Sequence, residues 1–231
     1  MEKTDFGIIC AMKKEADGII SNIVNKKSVE LFGILYNYGT IGKHSVAVAV
    51  CGIGKVNAAI CAQTMISSFH TEVVINTGVG GALNSSLKTG EIVIAEKLVQ
   101  HDLDTSGLGD PIGYISGPGV IFIETDKVVR NSIETCVKGL GYDYRLGVIA
   151  SGDQFICSKA AKEKIVHNFN ADVCEMEGAA VAQVCYIAKV KFCVLRAISD
   201  GAEEDAFDSY DAFTLVASEK LKNVILKMLE K

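Results

Sequence analysis

The chain has 231 residues, 49% of them hydrophobic and 7% aromatic, which is enough to bury a sizeable core as one domain over residues 1–231. A net charge of -5 and a pI of about 5.4 exclude the global basic field that draws a protein to nucleic acid or an anionic membrane surface. Mean hydropathy is +0.28, yet no apolar run reaches the ~18 residues of a spanning helix, and the first five residues lack a signal peptide's layout, so a soluble cytoplasmic protein is expected.

The eight cysteines form no C-x-x-C pair and several lie inside apolar runs, as Cys193 does in Val190–Leu195. They read as buried free thiols, not as a disulfide framework or a zinc site. With two prolines and no low-complexity stretch or repeat, nothing marks a domain boundary.

Phe6–Cys10 is a short apolar strand, followed by a helix running from Ala11 towards Val24. Glu15 falls in its first turn, where a carboxylate either complements the helix dipole or serves a site at the strand end. Leu31–Tyr38 and Ser45–Cys51 read as strands joined by the turn Ile41–His44. Gly52-Ile53-Gly54-Lys55-Val56 then opens a helix to Ser68; Asn57 fills the third glycine position of a dinucleotide fingerprint, and Val56 stands where a phosphate-binding loop has Ser or Thr. Val73–Thr77 is a buried strand and Gly78–Ala82 its loop, whose glycines permit close approach of a flat ligand or simply a tight turn.

Ile92–Gln100 is a further strand ending in His101-Asp102-Leu103-Asp104, which reads as a capped turn more readily than as a metal site. Thr105–Gly119 carries five glycines and both prolines and is a candidate lid or interface segment. A helix over Asp126–Lys138, a strand over Leu146–Ala150 and a helix over Lys159–Asn168 follow. Between the last two, Phe155 and Ile156 offer an aromatic platform or a satellite core contact. Glu175 and Glu177 sit among apolar residues ahead of the alanine-rich helix Gly178–Ala188, and burying them without partners would be costly.

Phe192–Asp200 then runs apolar as a strand buried on both faces and ends in Arg196, Ser199 and Asp200, where open α/β sheets place ligands. The alternative for Asp200 is a turn or a helix cap. A final amphipathic helix spans Tyr210–Leu229 behind Ser209, a candidate N-cap.

Six stretches in order, Gly7–Glu15, Gly52–Val56, Ile75–Gly81, Ser151–Ile156, Glu175–Glu177 and Arg196–Asp200, resemble those of methylthioadenosine/S-adenosylhomocysteine nucleosidases, and the likeness runs from about residue 5 to about residue 225. It implies an α/β, nucleoside phosphorylase-like three-layer fold, a central mixed β-sheet flanked by α-helices, usually as a homodimer. It also implies hydrolysis, without a cofactor or metal, of the bond between adenine and a 5′-thio-substituted ribose. By this resemblance Asp200 matches the acid at N7 of adenine, Glu15 the base that activates water, and Glu177 the carboxylate on the ribose hydroxyls. Such a division of labour suits an oxocarbenium-like sugar. Phe155 and Ile156 match the adenine platform, and Met12, Ile53 and Met176 the apolar contacts to the sugar and alkylthio group. Gly81 lies in the base pocket, Ser199 supports the acid, Arg196 lies near the water and Tyr210 lines the pocket.

Thr105 and Leu108 fall where the partner subunit approaches the thio-substituent; Leu108 replaces what is often Phe. Val79 stands where many relatives have Ser and where related phosphorylases bind phosphate. Valine cannot donate a hydrogen bond, and none of the three arginines lies in the glycine-rich stretches, so water is the expected nucleophile. A phosphorylase, a hydrolase of another nucleoside and a silent nucleoside-binding protein are the alternatives.

Overall fold

The computed structural model describes residues 3–202 and 206–230, with side chains at 3–202 and 213–230. In chain order it contains β1 (Phe6–Cys10), α1 (Lys13–Ile20), β2 (Val24–Leu31), β3 (Ile34–Ile41), β4 (His44–Val50), α2 (Lys55–Phe69), β5 (Val73–Ala82) and β6 (Ile92–Gln100). There follow β7 (Ile123–Glu124), α3 (Lys127–Gly139), β8 (Tyr144–Ser151), α4 (Lys159–Phe169), β9 (Val173–Glu175), α5 (Gly178–Ala188), β10 (Lys191–Asp200) and α6 (Ala206–Leu229).

Among the described residues, all ten strands belong to one mixed sheet. β1 lies parallel between β4 and β5, and the β4–β3–β2 edge is antiparallel. On the other side β5 pairs with β10, β10 with β6, β6 with β8, β8 with β9, and β9 again with β5, closing a five-strand ring. Closure leaves those strands no free edge.

The two-residue pleat sorts the core. Ile8, Cys10, Val46 and Val48 join one apolar cluster with side chains of α1, α3 and α6, while Ile9, Ala47 and Ala49 join the opposite cluster with α2 and α5. A third cluster packs Ile165 and Phe169 of α4 against Val99, Ala150 and Cys174. The mixed sheet flanked by α-helices is thus the architecture the resemblance implied. Among the described residues, no helix is long and apolar enough to cross a membrane. Seven of the eight cysteines are buried and free, as expected of thiols that behave as small hydrophobes; Cys157 is exposed.

Four expectations need correction, the first being that the strand read over Leu31–Tyr38 is Ile34–Ile41, because Phe32–Gly33 turn the chain back on itself. The helix expected to run towards Val24 ends at Ile20, and Val24–Leu31 is an edge strand. Its residues are mostly exposed, so no apolar alternation announces it; pairing with β3 across Phe32–Gly33, both at positive φ, defines it. Gly78–Ala82 is not a loop but the end of β5, held by register with β10 and β9. α6 begins at Ala206, so Ser209 lies within the helix and does not precede it.

Candidate active site

Glu15 sits in the first turn of α1 and is only 5% exposed. Its Oε2 accepts the Ala11 and Met12 N–H groups at 3.1 and 3.0 Å, and its Oε1 accepts the Val79 N–H of β5 at 3.1 Å. The same carboxylate therefore caps its own helix and spans to the neighbouring strand. Burial pushes its pKa upward, against the Arg196 charge and these three N–H groups. Gly78 makes the approach possible, because a Cβ there would stand 2.7 Å from Glu15 Oε1.

Asp200 ends β10. Its Oδ2 accepts the Ser199 hydroxyl at 2.7 Å and its Oδ1 the Ala202 N–H at 2.9 Å. Neighbouring residues of a regular strand face opposite ways, yet both Ser199 and Asp200 line one cavity. The cause is a register shift between Ile198 and Asp200, which pair with Gly80 and Gly81. The extra residue re-aims the strand end, as bulges do beside active sites. Gly81 leaves room for it, since a Cβ there would lie 2.8 Å from Asp200 Oδ1.

Glu175 and Glu177 divide their tasks. Glu175 accepts the Ser151 hydroxyl, the N–H groups of Glu177 and Gly178 at the start of α5, and the Arg196 guanidinium through Nε at 3.1 Å and through Nη2. Its oxygens are spent on structure. Glu177 Oε1 accepts the Gly54 N–H at 2.9 Å, and its Oε2 lies 3.7 Å from Arg196 Nη2. Burial and then the charge of Glu175 push the Glu177 carboxyl up to about 7, against the pull of Arg196 and the Gly54 N–H. Arg196 is 1% exposed and also bonds Asn76 Oδ1 at 2.6 Å and the Leu195 carbonyl at 3.2 Å. Expected near the attacking water, it instead lies beneath the carboxylates, outside the cavity lining.

The cavity holds about 590 Å³ of space, open mouth included. Glu15, Glu177 and Asp200 line it together with Met12, Ile53, Val79, Gly81, Phe155, Ile156, Met176 and Ser199. Phe155 is 46% exposed and presents an aromatic face at the cavity edge. The Tyr210 side chain lies outside the described residues. Thr105 and Leu108 are not at this wall; Thr105 bonds Asp110 at 2.9 Å, and Leu108 projects from a short 3₁₀ turn. Ala11, Cys174 and Gln154 also line the cavity, unforeseen in the sequence. The signal for Cys174 was its place next to Glu175, hidden by its apolar neighbours. Asp104 caps its turn by accepting the Ser106 N–H at 2.9 Å, and among the described residues no group of three or more His, Cys, Asp and Glu could hold a metal.

Residues 5–230 match the family described as the phosphorylase superfamily. The chain belongs to the phosphorylase superfamily. This superfamily member is 40% identical over 224 residues to the aminodeoxyfutalosine nucleosidase of Campylobacter jejuni, covering 97% of each chain. The structure of a futalosine hydrolase of Helicobacter pylori matches with a TM-score of 0.94, at 37% identity over 97% of each chain. A methylthioadenosine/S-adenosylhomocysteine nucleosidase of Helicobacter pylori, solved with butyl-thio-DADMe-Immucillin-A, matches with a TM-score of 0.95 at 36% identity over 99% of this chain and 98% of that one. The chain is an enzyme of the nucleosidase class, hydrolysing an N-ribosidic bond.

Two consequences can be measured. In Gly78→Ala the new methyl displaces the Glu15 carboxylate; nucleoside cleavage should fall by about 100-fold, with the cooperative unfolding transition retained. Glu177 titrates near 7 when folded against 4.5 when unfolded, so its ionisation costs stability as pH rises through that window. Glu177→Gln should therefore gain roughly 1–3 kcal/mol over the unsubstituted chain at pH 8 and lose that advantage towards pH 4.5 in urea unfolding. A pH-independent difference would contradict the assignment.

Proposed function

We propose that the chain hydrolyses the N-ribosidic bond of methylthioadenosine and S-adenosylhomocysteine, and of 5′-deoxyadenosine, releasing adenine and the 5′-substituted ribose. The observation that carries this reading is the convergence of the buried carboxylates Glu15, Glu177 and Asp200 on one cavity, which the structurally committed Glu175 also lines and an exposed Phe155 edges. Adenine lies against Phe155 and Ile156, with Asp200 giving a proton to N7 as the bond to C1′ lengthens. The departing base thus leaves neutral. Ser199 orients the acid through its hydrogen bond to Oδ2.

Glu177 accepts the ribose hydroxyls and sets negative charge beside the oxocarbenium-like sugar. Glu15 takes a proton from a water on the opposite face, and that water attacks C1′, the arrangement of inverting glycosidases. Met12, Ile53 and Met176 receive the sugar edge and the 5′-substituent. Water is favoured over phosphate because Val79 presents a hydrocarbon side chain to the cavity while its N–H is committed to Glu15. Neither a cofactor nor a metal enters these steps.

A second substrate, aminodeoxyfutalosine, is favoured by one observation: it is the nucleoside in the name of the 40%-identical relative. The test is adenine release from methylthioadenosine, S-adenosylhomocysteine, 5′-deoxyadenosine and aminodeoxyfutalosine, with and without phosphate. Phosphate-independent cleavage of the 5′-thio nucleosides supports the proposal, with kcat in Asp200→Asn reduced by about 1,000-fold or more while binding persists. Cleavage of aminodeoxyfutalosine alone would replace the substrate, and a phosphate requirement would replace the reaction.

Assembly as a homodimer belongs to the same proposal. α2 and α5 pack together and expose Val56, Ile60, Tyr186 and Ile187, and Leu108 is 86% exposed. Such a surface suits a second copy of the chain better than water. Light scattering should give twice the 24.6 kDa chain mass, and Leu108→Asp should raise KM for substrates with bulky 5′-substituents. A fully active monomer would refute this assembly.

A further inference from the structure

Around Lys55 lies a closed polar circuit that the chemistry above leaves unused. Lys55 Nζ donates to Asp102 Oδ1 at 2.6 Å and to Gln100 Oε1 at 3.1 Å. Asp102 Oδ2 accepts the Asp153 N–H at 2.8 Å, and Asp153 Oδ1 in turn accepts the Lys55 N–H at 2.8 Å. Gln100 continues the path to Gln183 of α5 at 2.6 Å. The turn after β4, the turn after β6 and the loop after β8 are joined in this way. The Lys55 and Asp102 side chains are each only 16% exposed, so the pair is largely shielded from solvent. Burial works against the Asp102 charge, yet the Lys55 ammonium and the Asp153 N–H hold its carboxyl below the usual carboxylate range.

Two members of the circuit stand within two residues of the cavity lining. Lys55 directly follows Gly54, the residue whose N–H bonds Glu177. Asp153 stands two residues before Phe155. Pinning the Lys55 N–H on Asp153 fixes the course of the turn, and with it the direction of the Gly54 N–H one peptide earlier. We propose that Asp102 is a positioning residue: through Lys55 and Asp153 it keeps the Gly54 N–H on Glu177 and locks the turn carrying Ile53 to the loop carrying Phe155. Asp102 itself is not in the lining of this cavity and both its oxygens are engaged, so it acts through others. The inference rests on the reading of Glu177 as the ribose-binding carboxylate.

When the circuit opens, Glu177 loses a donor to its charged form. It then faces Glu175 from β9, Glu15 from α1 and Cys51 beyond β4, with Arg196 of β10 as its charge partner. Its proton affinity rises, and its grip on the ribose hydroxyls loosens. A staple that merely held the fold would not change the titration of one distant carboxyl.

The experiment follows Glu177 directly by ¹³C NMR titration of carboxyl-labelled glutamates, assigned with Glu177→Gln, in the unsubstituted chain, Asp102→Ala and Asp102→Asn. kcat and KM for whichever nucleoside is cleaved are measured for the same proteins and for Asp102→Ala combined with Glu177→Gln. The Glu177 midpoint should rise by about half a pH unit or more in Asp102→Ala and by less in Asp102→Asn. KM should rise about 10-fold with kcat less affected, and Asp102→Ala should add little to the residual rate of Glu177→Gln. An unmoved midpoint in a folded variant, or the same fold-loss on both backgrounds, overturns the proposal. Should Asp102→Ala fail to fold, the isosteric Asp102→Asn decides alone. If the unsubstituted chain cleaves no nucleoside, the proposed function fails while the midpoint still tests the positioning.

Discussion

One guanidinium beneath a group of carboxylates sets the terms for the rest of the molecule. Arg196 is 1% exposed and holds Glu175 through two nitrogens while standing 3.7 Å from Glu177. Buried charges of one sign are tolerated only with compensation, and removing one partner from such a set typically costs about 3–5 kcal/mol. Glu175 neutralises the arginine and, by accepting the N–H groups at the start of α5, fixes the helix that follows Glu177. Glu177 is then left with a weaker share of Arg196 and one backbone donor, too little to offset its burial and the charge of Glu175, which push its carboxyl up to about 7. The structure thus uses one glutamate to anchor the network and leaves the other available to a ligand.

Topology supplies the convergence. Residues at or beyond the carboxyl ends of β1, β4, β5, β8, β9 and β10 meet at a single cavity. Two glycines of β5 mark the points of contact: Gly78 accommodates Glu15 and Gly81 accommodates Asp200. Both are extended strand residues, so the reason for glycine is space. The bulge at the end of β10 completes the geometry by turning Ser199 and Asp200 to the same side.

Much of this was legible in the chain. An apolar run ending in polar residues identified β10, and the six ordered stretches pointed to the mixed sheet with flanking helices. Buried Glu15, Glu177 and Asp200 do share a cavity. Other features were hidden for physical reasons. β2 is a solvated edge strand whose lysines mask any alternation, so only its partner reveals it. The glycines of β5 imitate a turn because residues from other strands take the place of their side chains. Arg196 was expected near the attacking water only through the family resemblance, whereas its side chain folds beneath the cavity to meet Glu175 and Asn76. Nor could spacing reveal Lys55, Asp102 and Asp153 as one circuit, since only the fold brings these distant residues within hydrogen-bond reach.

The proposed reaction turns on its nucleophile: water, placed by Glu15, attacks a sugar whose base is leaving protonated. The most direct measurement is a single turnover of methylthioadenosine in H₂¹⁸O containing phosphate, with mass analysis of both products. One ¹⁸O on the freed sugar, none on adenine and no sugar phosphate is the predicted result. A sugar 1-phosphate without the label would contradict it, and would show that the site around Val79 admits phosphate after all.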